Sequence, residues 1–360
     1  MIQPGINVLL TERGDLLAGR RMAVLTNHTG VLPDLSSSLD ALMRAADVRA
    51  IFSPEHGFYG VAAPGAHVTD STYRHVPVHS LYGAHVEPSP EQLSGIDAVI
   101  CDVQDIGCRF YTYVWTLVKV MQAAARRHVA IIIADRPNPL GGTSEGPGVE
   151  QSRQSLVGLH DVPVRHGLTI GELARLVNEE ARLGCDLTVV PCAGWSRSMD
   201  FRATGLPWVP PSPNMPTAET ALLYPGTCLI EGVNVSPGRG TARPFEWVGA
   251  PWINGAALAE ELNALDLPGV RWRPVVFQPL AEPYTGEICA GVQAHVVDSR
   301  ALRPVALGVA LVQTIWRLYP SLLGWHAAHF DRLAGSASIR AAITRGASLA
   351  EITASWHGYT

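Results

Sequence analysis

The chain has 360 residues, of which 47% are hydrophobic and 16% are charged, and its formal net charge at pH 7 is −5. This length accommodates two hydrophobic cores, and this composition is typical of a folded protein and excludes a disordered one. The negative charge and the lack of a run of basic residues exclude the electrostatic attraction on which nucleic-acid-binding proteins depend.

The first half of the sequence alternates apolar strands with helices. The predicted strands are Arg21–Thr26, Val48–Phe52, Val76–Leu81, Ala98–Val103, Val129–Ala134 and Asp186–Val190. The predicted helices run from a cap at Asp34 to about Ala46, from about Thr112 to Arg126, and from a capping box at Thr169–Glu172 to about Leu183. Apolar strands separated by helices predict an α/β domain with a parallel sheet covered on both faces.

The composition of the sequence changes at residues 205–216, which contain five prolines and are therefore predicted to form no helix or strand. We place a domain boundary there, which gives domains at residues 1–216 and 217–360. Beyond it we expect short strands and three helices, so the second part is predicted to be a smaller α+β domain. These helices are placed at about Val305–Leu318, Ser338–Thr344 and Leu349–Trp356.

Polar clusters follow four of the predicted strands, at Asn27–Gly30, Ser53–Gly57, Gln104–Tyr111 and Asp135–Pro139. In an open parallel sheet, ligands bind beyond the carboxyl ends of the strands, so these clusters are expected at one edge. Their carboxylates, imidazoles, amides, guanidinium groups and phenols suit a sugar. Glycosidic cleavage needs one carboxyl group as an acid and a second group at the anomeric carbon.

The acids at this edge also have structural interpretations. Glu55 can cap a helix or pair with His56. We favour Asp102 as a buried anchor for a loop amide. For Asp135 and Arg136, a structural ion pair and contact with the substrate are equally supported.

Seven motifs together resemble one family, the NamZ-type exo-β-N-acetylmuramidases of glycoside hydrolase family 171. They are SPEHG (Ser53–Gly57), QDIGCRFYTY (Gln104–Tyr113), DRPNPLGG (Asp135–Gly142), HGLTIGELA (His166–Ala174), PSPNMP (Pro211–Pro216), YPG (Tyr224–Gly226) and GRGTARPFE (Gly238–Glu246). Their order and spacing agree along essentially the whole chain. Cys108 and Tyr59 depart from the residues that are usual in the family at these positions, but neither departure removes a polar group on which the resemblance depends.

The resemblance implies a Rossmann-like N-terminal domain, a smaller C-terminal domain and an active site in the cleft between them. It implies an exo-acting hydrolase that removes N-acetylmuramic acid from the non-reducing end of peptidoglycan fragments, without a metal or other cofactor. The substrate would be the main partner, and the oligomeric state stays open.

Carried onto this sequence, the resemblance makes Glu55 the candidate general acid/base, with Asp105 as the other catalytic candidate. Arg109, Arg136 and Arg239 are candidates to bind the lactyl carboxylate of muramic acid. A second catalytic carboxylate and the 2-acetamido group of the substrate both remain possible as the other reacting group. The predicted substrate-binding residues are Asn27, His28, His56, Arg109, Tyr111, Asp135, Arg136, Asn138, Glu231, Asn234 and Arg239.

Two other functions remain open from the sequence. One is a muropeptide-binding protein without catalysis. The other is a serine hydrolase, because Gly142–Gly146 fits the pattern G-x-S-x-G with Ser144 as nucleophile, although Pro139 and Pro147 disfavour the strand and helix that this motif needs.

Our expectations about the location of the protein and about metal binding depend on motifs that the sequence lacks. Residues 1–10 lack a basic segment followed by an apolar one, and no apolar run is long enough for a membrane span. We therefore expect a cytoplasmic protein, or a periplasmic or secreted one if a signal was trimmed. The cysteines form no C-x-x-C pair, so we expect neither a zinc knuckle nor a redox motif, and we assign no residue to a metal site.

Overall fold

The strands of the first half form one sheet in the computed structural model, which describes residues 2–356. The strand order is β3-β4-β2-β1-β5-β6-β7, and every neighbouring pair is parallel except β3 and β4. The mostly parallel sheet predicted from the sequence is confirmed. The strands are β1 (Arg21–Thr26), β2 (Asp47–Ser53), β3 (Ser71–Tyr73), β4 (Val76–Ser80), β5 (Ala98–Asp102), β6 (Ala130–Ala134) and β7 (Leu187–Val190).

Four helices belong to the same part of the chain: α1 (Gly5–Glu12), α2 (Ser38–Ala45), α3 (Tyr113–Arg127) and α4 (Ile170–Glu180). The predicted capping box of α4 is present. The predicted start of α2 is wrong. Ser37 caps this helix by accepting from the Asp40 backbone N–H, whereas Asp34 accepts from Ser36 in a turn before it.

The order of the strands creates a switch point between β1 and β5. From β1 the chain adds β2 and β4 on one side, then returns to add β5, β6 and β7 on the other. β1 and β5 are directly paired, from Met22 with Ala98 to Thr26 with Asp102. Ligands of open α/β sheets bind beyond the carboxyl ends of the strands at such a point. The fold therefore places the loops after β1 and β5 where a ligand is expected.

The core of this sheet is built from side chains that the strands and helices bury together. Helix α1, which the sequence analysis did not predict, contributes Ile6 and Leu9. They belong to one cluster with Met22 and Val24 of β1 and Ile100 of β5. Burying apolar surface stabilises the fold by roughly 25 cal/mol per Å², so α1 is held by packing although its sequence lacks strong cap signals.

The chain divides into two compact units. The first runs up to Gly107 and continues with Tyr111–Gly142 and Gly167–Pro213, and it holds the seven-stranded sheet. The second begins at Asn214 and also takes in Cys108–Phe110 and Thr143–His166, two segments that the division at residue 216 assigns to the first domain.

The second unit contains a three-stranded antiparallel sheet in the order β8-β10-β9, with helices in the same unit. Its strands are β8 (Trp247–Ala250), β9 (Val270–Phe277) and β10 (Cys289–Val296). Its helices are α5 (Ala218–Thr227), α6 (Gly255–Ala264), α7 (Pro304–Leu318), α8 (Ala327–Ala334), α9 (Ser338–Thr344) and α10 (Leu349–Ala354). The predicted α+β character is confirmed. No helix within residues 2–356 is both long and apolar enough to cross a membrane.

Helices α5 and α7 approach each other closely at two glycines. A Cβ on Gly308 would lie 2.2 Å from the backbone oxygen of Gly226, and a Cβ on Gly226 would lie 1.8 Å from that of Pro304. Real Cβ atoms do not approach backbone atoms so closely. The glycine of the YPG motif thus serves helix packing.

We expect Gly308→Ala to destabilise the protein by about 1–3 kcal/mol because the added methyl group forces the two backbones apart. Helix propensity alone predicts the opposite sign, a gain of about 1 kcal/mol. Urea unfolding measures the difference. Gly14→Ala is the control, because a Cβ there meets nothing within 4 Å. An unchanged or raised stability of Gly308→Ala would contradict the packing argument.

Candidate functional site

Hydrogen bonds tie the loops after β1 and β5 together at the switch point. The Oδ1 atom of Asn27 accepts from the backbone N–H and the hydroxyl of Thr29, at 2.9 and 2.6 Å. The Thr29 hydroxyl in turn accepts from the backbone N–H of Gln104 at 3.0 Å. Asn27 therefore shapes its own turn, and Thr29 fixes that turn to the chain that leads into Asp105.

Glu55, in the loop after β2, is only 9% exposed. Its Oε1 accepts from the Gly65 backbone N–H at 3.0 Å, and its Oε2 accepts from the Thr112 hydroxyl at 2.7 Å. Tyr82 also hydrogen-bonds to Glu55, and burial together with this carboxylate raises the pKa of Tyr82 to about 12. Hydrogen-bond donors thus replace the water that a buried carboxylate loses.

The two histidines of this edge hold loops in place. Nε2 of His28 lies 2.7 Å from the carbonyl oxygen of Pro210, and Nδ1 of His56 lies 2.8 Å from that of Ala62. Carbonyl oxygens only accept hydrogen bonds, so each of these nitrogens carries a proton. The backbone of His56 is left-handed, with φ of 69°, and this directs the chain after Glu55 into the next turn.

Asp105 is 6% exposed and lies at the start of the loop after β5. Its Oδ2 accepts from the Gly107 backbone N–H at 2.7 Å. Burial raises the pKa of Asp105 to about 7, while hydrogen bonds from the backbones of Gly107, Ile106 and Val114 oppose the rise. Near neutral pH a large fraction of Asp105 therefore carries a proton.

Both carboxyl groups meet at the N-terminus of α3. Thr112, the residue at the N-cap position of this helix, binds Glu55, and the backbone of Val114 in its first turn binds Asp105. The positive end of a helix dipole favours negative charge at this place.

Tyr113 lies close enough to both carboxyl groups to interact with them electrostatically. This buried phenol donates to the carbonyl oxygen of Pro211, and Glu55, Asn27 and Asp105 all act on it electrostatically or by hydrogen bonds. Burial raises the pKa of Tyr113. The structure thus brings Glu55, Asp105 and Asn27 together around one side chain.

Three of the residues around these carboxylates were missed by the sequence analysis: Tyr82, Thr112 and Tyr113. Thr112 and Tyr113 end the QDIGCRFYTY motif, so the motif itself held the signal. Tyr111 was predicted, and its ring packs edge-on against Tyr113 with centroids 4.7 Å apart. Burial raises the pKa of Tyr111 as well.

Asp135 and Asn138 hold the backbone after β6. Asp135 accepts from the Thr169 hydroxyl at 2.6 Å and from the Gly171 backbone N–H at 3.0 Å, at the start of α4. Burial raises the pKa of Asp135 to about 6. Asn138 accepts from the Leu140 backbone N–H and donates to the Leu168 carbonyl. These contacts favour structural roles over sugar binding.

Arg136 pairs with Asp102, so of the two interpretations left open for Asp135 and Arg136, the structural ion pair between them is not found among the described residues. Nε of Arg136 lies 2.7 Å from Oδ1 of Asp102, and both side chains are at most 5% exposed. Ser38 donates to the other oxygen of Asp102, and Arg136 donates to the Val31 carbonyl. Asp102 is thus a buried anchor, as the sequence analysis favoured, but it binds the side chains of Ser38 and Arg136 and not a loop amide. A small pocket borders Arg136, and its lining includes Thr29 and Gln104.

Arg109 belongs to the second unit and is completely buried. Its guanidinium donates to the carbonyl oxygens of Pro147, Val162 and Leu333, at 2.7, 3.0 and 2.8 Å. These bonds hold three separate segments of the second unit, so the geometry favours a structural role for Arg109.

The second unit also holds Glu231, Asn234 and Arg239. Nε of Arg239 lies 2.5 Å from Oε1 of Glu231, and its guanidinium lies over the ring of Phe245 at 4.8 Å. Asn234 donates to the Leu322 carbonyl and accepts from the Gly324 backbone N–H. Glu231 and Arg239 therefore form a partly exposed pair, while Asn234 fixes a turn.

The other chemistries considered from the sequence find little support. No strand leads into Ser144 and no helix follows it within residues 135–150, so the context of a nucleophile elbow is absent. Its neighbour Glu145 accepts from the Ala306 backbone N–H in the first turn of α7. Among residues 2–356, no group of three or more histidine, cysteine, aspartate or glutamate side chains is placed to hold a metal ion.

Comparison with solved structures supports the fold. A DUF1343-family protein from Bacteroides fragilis NCTC 9343 superimposes with a TM-score of 0.90 and 34% identity, over 100% of this chain and 99% of that one. A second DUF1343-family protein from the same organism gives a TM-score of 0.78 and 32% identity, over 99% and 94% of the two chains.

Sequence comparison identifies the family. The family model described as exo-beta-N-acetylmuramidase NamZ, N-terminal, matches residues 22–219, and its C-terminal counterpart matches residues 222–359. The peptidoglycan beta-N-acetylmuramidase NamZ of Bacillus subtilis (strain 168) is 44% identical over 363 residues, which covers 99% of this chain and 87% of that protein. The chain therefore belongs to the NamZ family of exo-β-N-acetylmuramidases.

Proposed function

We infer that the protein is an exo-acting glycoside hydrolase that releases N-acetylmuramic acid from the non-reducing end of peptidoglycan fragments. One observation carries this inference beyond family membership. Glu55 and Asp105, from loops after different strands, both meet the start of α3 and surround Tyr113. Two carboxyl groups in different environments suit glycosidic cleavage in which one acts as the acid and the other as a carboxylate.

We propose that Asp105 is the general acid. Burial keeps it protonated up to about pH 7, so it can give its proton to the glycosidic oxygen as the bond to the anomeric carbon breaks. The sequence analysis assigned this role to Glu55. The two carboxyl groups differ in that hydrogen-bond donors surround Glu55, whereas burial dominates at Asp105.

In this proposal Glu55 takes the second role, that of the carboxylate next to the anomeric carbon. Donors from Gly65, Thr112 and Tyr82 hold this carboxyl group, and in the proposed mechanism it stabilises the positive charge that develops at the anomeric carbon. Stabilising this charge accelerates the reaction because the interaction strengthens in the transition state. Proton NMR of the first product anomer distinguishes a retaining from an inverting course.

Recognition of muramic acid requires a partner for its lactyl carboxylate. Arg109 is a poor partner, because three backbone carbonyls already hold its guanidinium. Arg136 and Arg239 stay predicted partners, and each already forms an ion pair with a carboxylate. A bound lactyl group would share that arginine or displace its partner.

The first prediction concerns the substrate. Paired chromogenic glycosides of N-acetylmuramic acid and N-acetylglucosamine differ only by the lactyl ether. We expect turnover of the first and much slower turnover of the second, because the second lacks the carboxylate that an arginine of the site would bind. Absence of turnover with both, but calorimetric binding of the muramic acid glycoside, would support a binding protein instead.

The second prediction separates the two carboxyl groups. Asp105→Asn should lower kcat by about 10²–10⁴ on a disaccharide, whose leaving group needs a proton, and much less on an activated aryl glycoside. Glu55→Gln should lower kcat on both substrates. In the parent, kcat/KM should fall as the pH rises through about 7, because Asp105 loses its proton there and can no longer act as the acid.

Asp331→Asn is the control for removing a buried carboxyl group elsewhere, since Asp331 is 3% exposed and pairs with Arg340 at 2.8 Å. Its kcat per folded molecule should match the parent. If Glu55→Gln rather than Asp105→Asn recovers activity on the aryl glycoside, the two roles are exchanged.

A further inference from the structure

Thr112 occupies the N-cap position of α3 but does not cap the helix in the usual way. A threonine at this position normally accepts a hydrogen bond from a backbone N–H in the first turn. Thr169 and Thr217 do so at the starts of α4 and α5, by accepting from Glu172 and Thr220. The side chain of Thr112 forms no such bond. Its hydroxyl instead lies 2.7 Å from Oε2 of Glu55 and donates to it.

The helix still has an acceptor at its first turn. The backbone of Val114 in this turn interacts with Asp105, so a side chain from the loop after β5 serves one of the N–H groups that lack a partner within the helix. The hydroxyl of Thr112 is thereby left to serve Glu55. Thr112 is itself only 9% exposed, so little water competes for its hydroxyl.

Glu55 depends on such donors for its orientation. Within residues 2–356, Glu55 forms no ion pair with an arginine, lysine or histidine. Gly65 holds Oε1 from the loop between β2 and β3, whereas Thr112 holds Oε2 from the start of a 15-residue helix. Tyr82, the third donor to Glu55, also lies in a loop, so of these three donors Thr112 is the one held at the start of a helix.

We propose that Thr112 is a positioning residue that aims the Glu55 carboxylate at the reacting sugar carbon. This role rests on the proposed glycosidase function. Thr112 acts through Glu55 and does not itself need to touch the substrate, so its loss should affect kcat rather than KM.

The test compares three variants on the chromogenic muramic acid glycoside. Thr112→Val removes the hydroxyl and keeps the shape, and we expect kcat to fall about ten- to hundredfold with KM little changed, as for loss of a hydrogen bond to a charged group. Thr112→Ser keeps the donor and should restore most of kcat. Thr116→Val is the matched control, because its buried hydroxyl lies one turn later on α3 and bonds to a backbone carbonyl.

Circular dichroism and thermal melting show whether each variant folds, and Thr112→Ala repeats the test if Thr112→Val does not. Parent-like kcat in a folded variant without the hydroxyl would overturn the positioning role. So would equal losses in Thr112→Val and Thr116→Val, or a Thr112→Ser variant as slow as Thr112→Val. A parent without turnover would overturn the proposed function, and this role with it.

Discussion

The start of helix α3 is the constraint on which the candidate site depends. The first turn of any helix exposes backbone N–H groups, and its dipole favours negative charge there. In this protein two carboxyl groups from different loops use that helix start: Glu55 through the Thr112 hydroxyl and Asp105 through the Val114 backbone. One structural element thus fixes two acids whose surroundings differ, because hydrogen-bond donors hold Glu55 whereas burial dominates at Asp105.

Most other polar residues at the carboxyl edge of the sheet support the framework. Buried polar groups must be hydrogen-bonded, because an unsatisfied one costs about 1–3 kcal/mol. Asp102 and Arg136 satisfy each other, and Asp135 satisfies the start of α4. In the second unit Arg109 binds three carbonyl oxygens. A motif rich in polar residues is therefore partly a chemical site and partly the scaffold that holds it.

The elements with the strongest apolar patterns were predictable. The strands around Ala98–Asp102 and Ala130–Ala134 and the capping box of α4 are found where their patterns placed them. Helix α1 was missed because packing against the sheet, and not a cap or a long periodic pattern, stabilises it. Helix α5 was missed because Pro225 and Gly226 within it read as helix breakers, although Gly226 is there to let α7 approach.

The sequence by itself determined the family, the parallel sheet and the group of loops that carry Glu55 and Asp105, because apolar periodicity and long motifs are local properties of the chain. It did not determine which polar side chain meets which. The tertiary structure alone decided three contacts. Arg136 pairs with Asp102, Arg109 binds carbonyl oxygens of the second unit, and Thr112 donates to Glu55. The physical reason is that these contacts join residues 34 to 224 positions apart, and only the folded chain brings such groups within hydrogen-bonding distance.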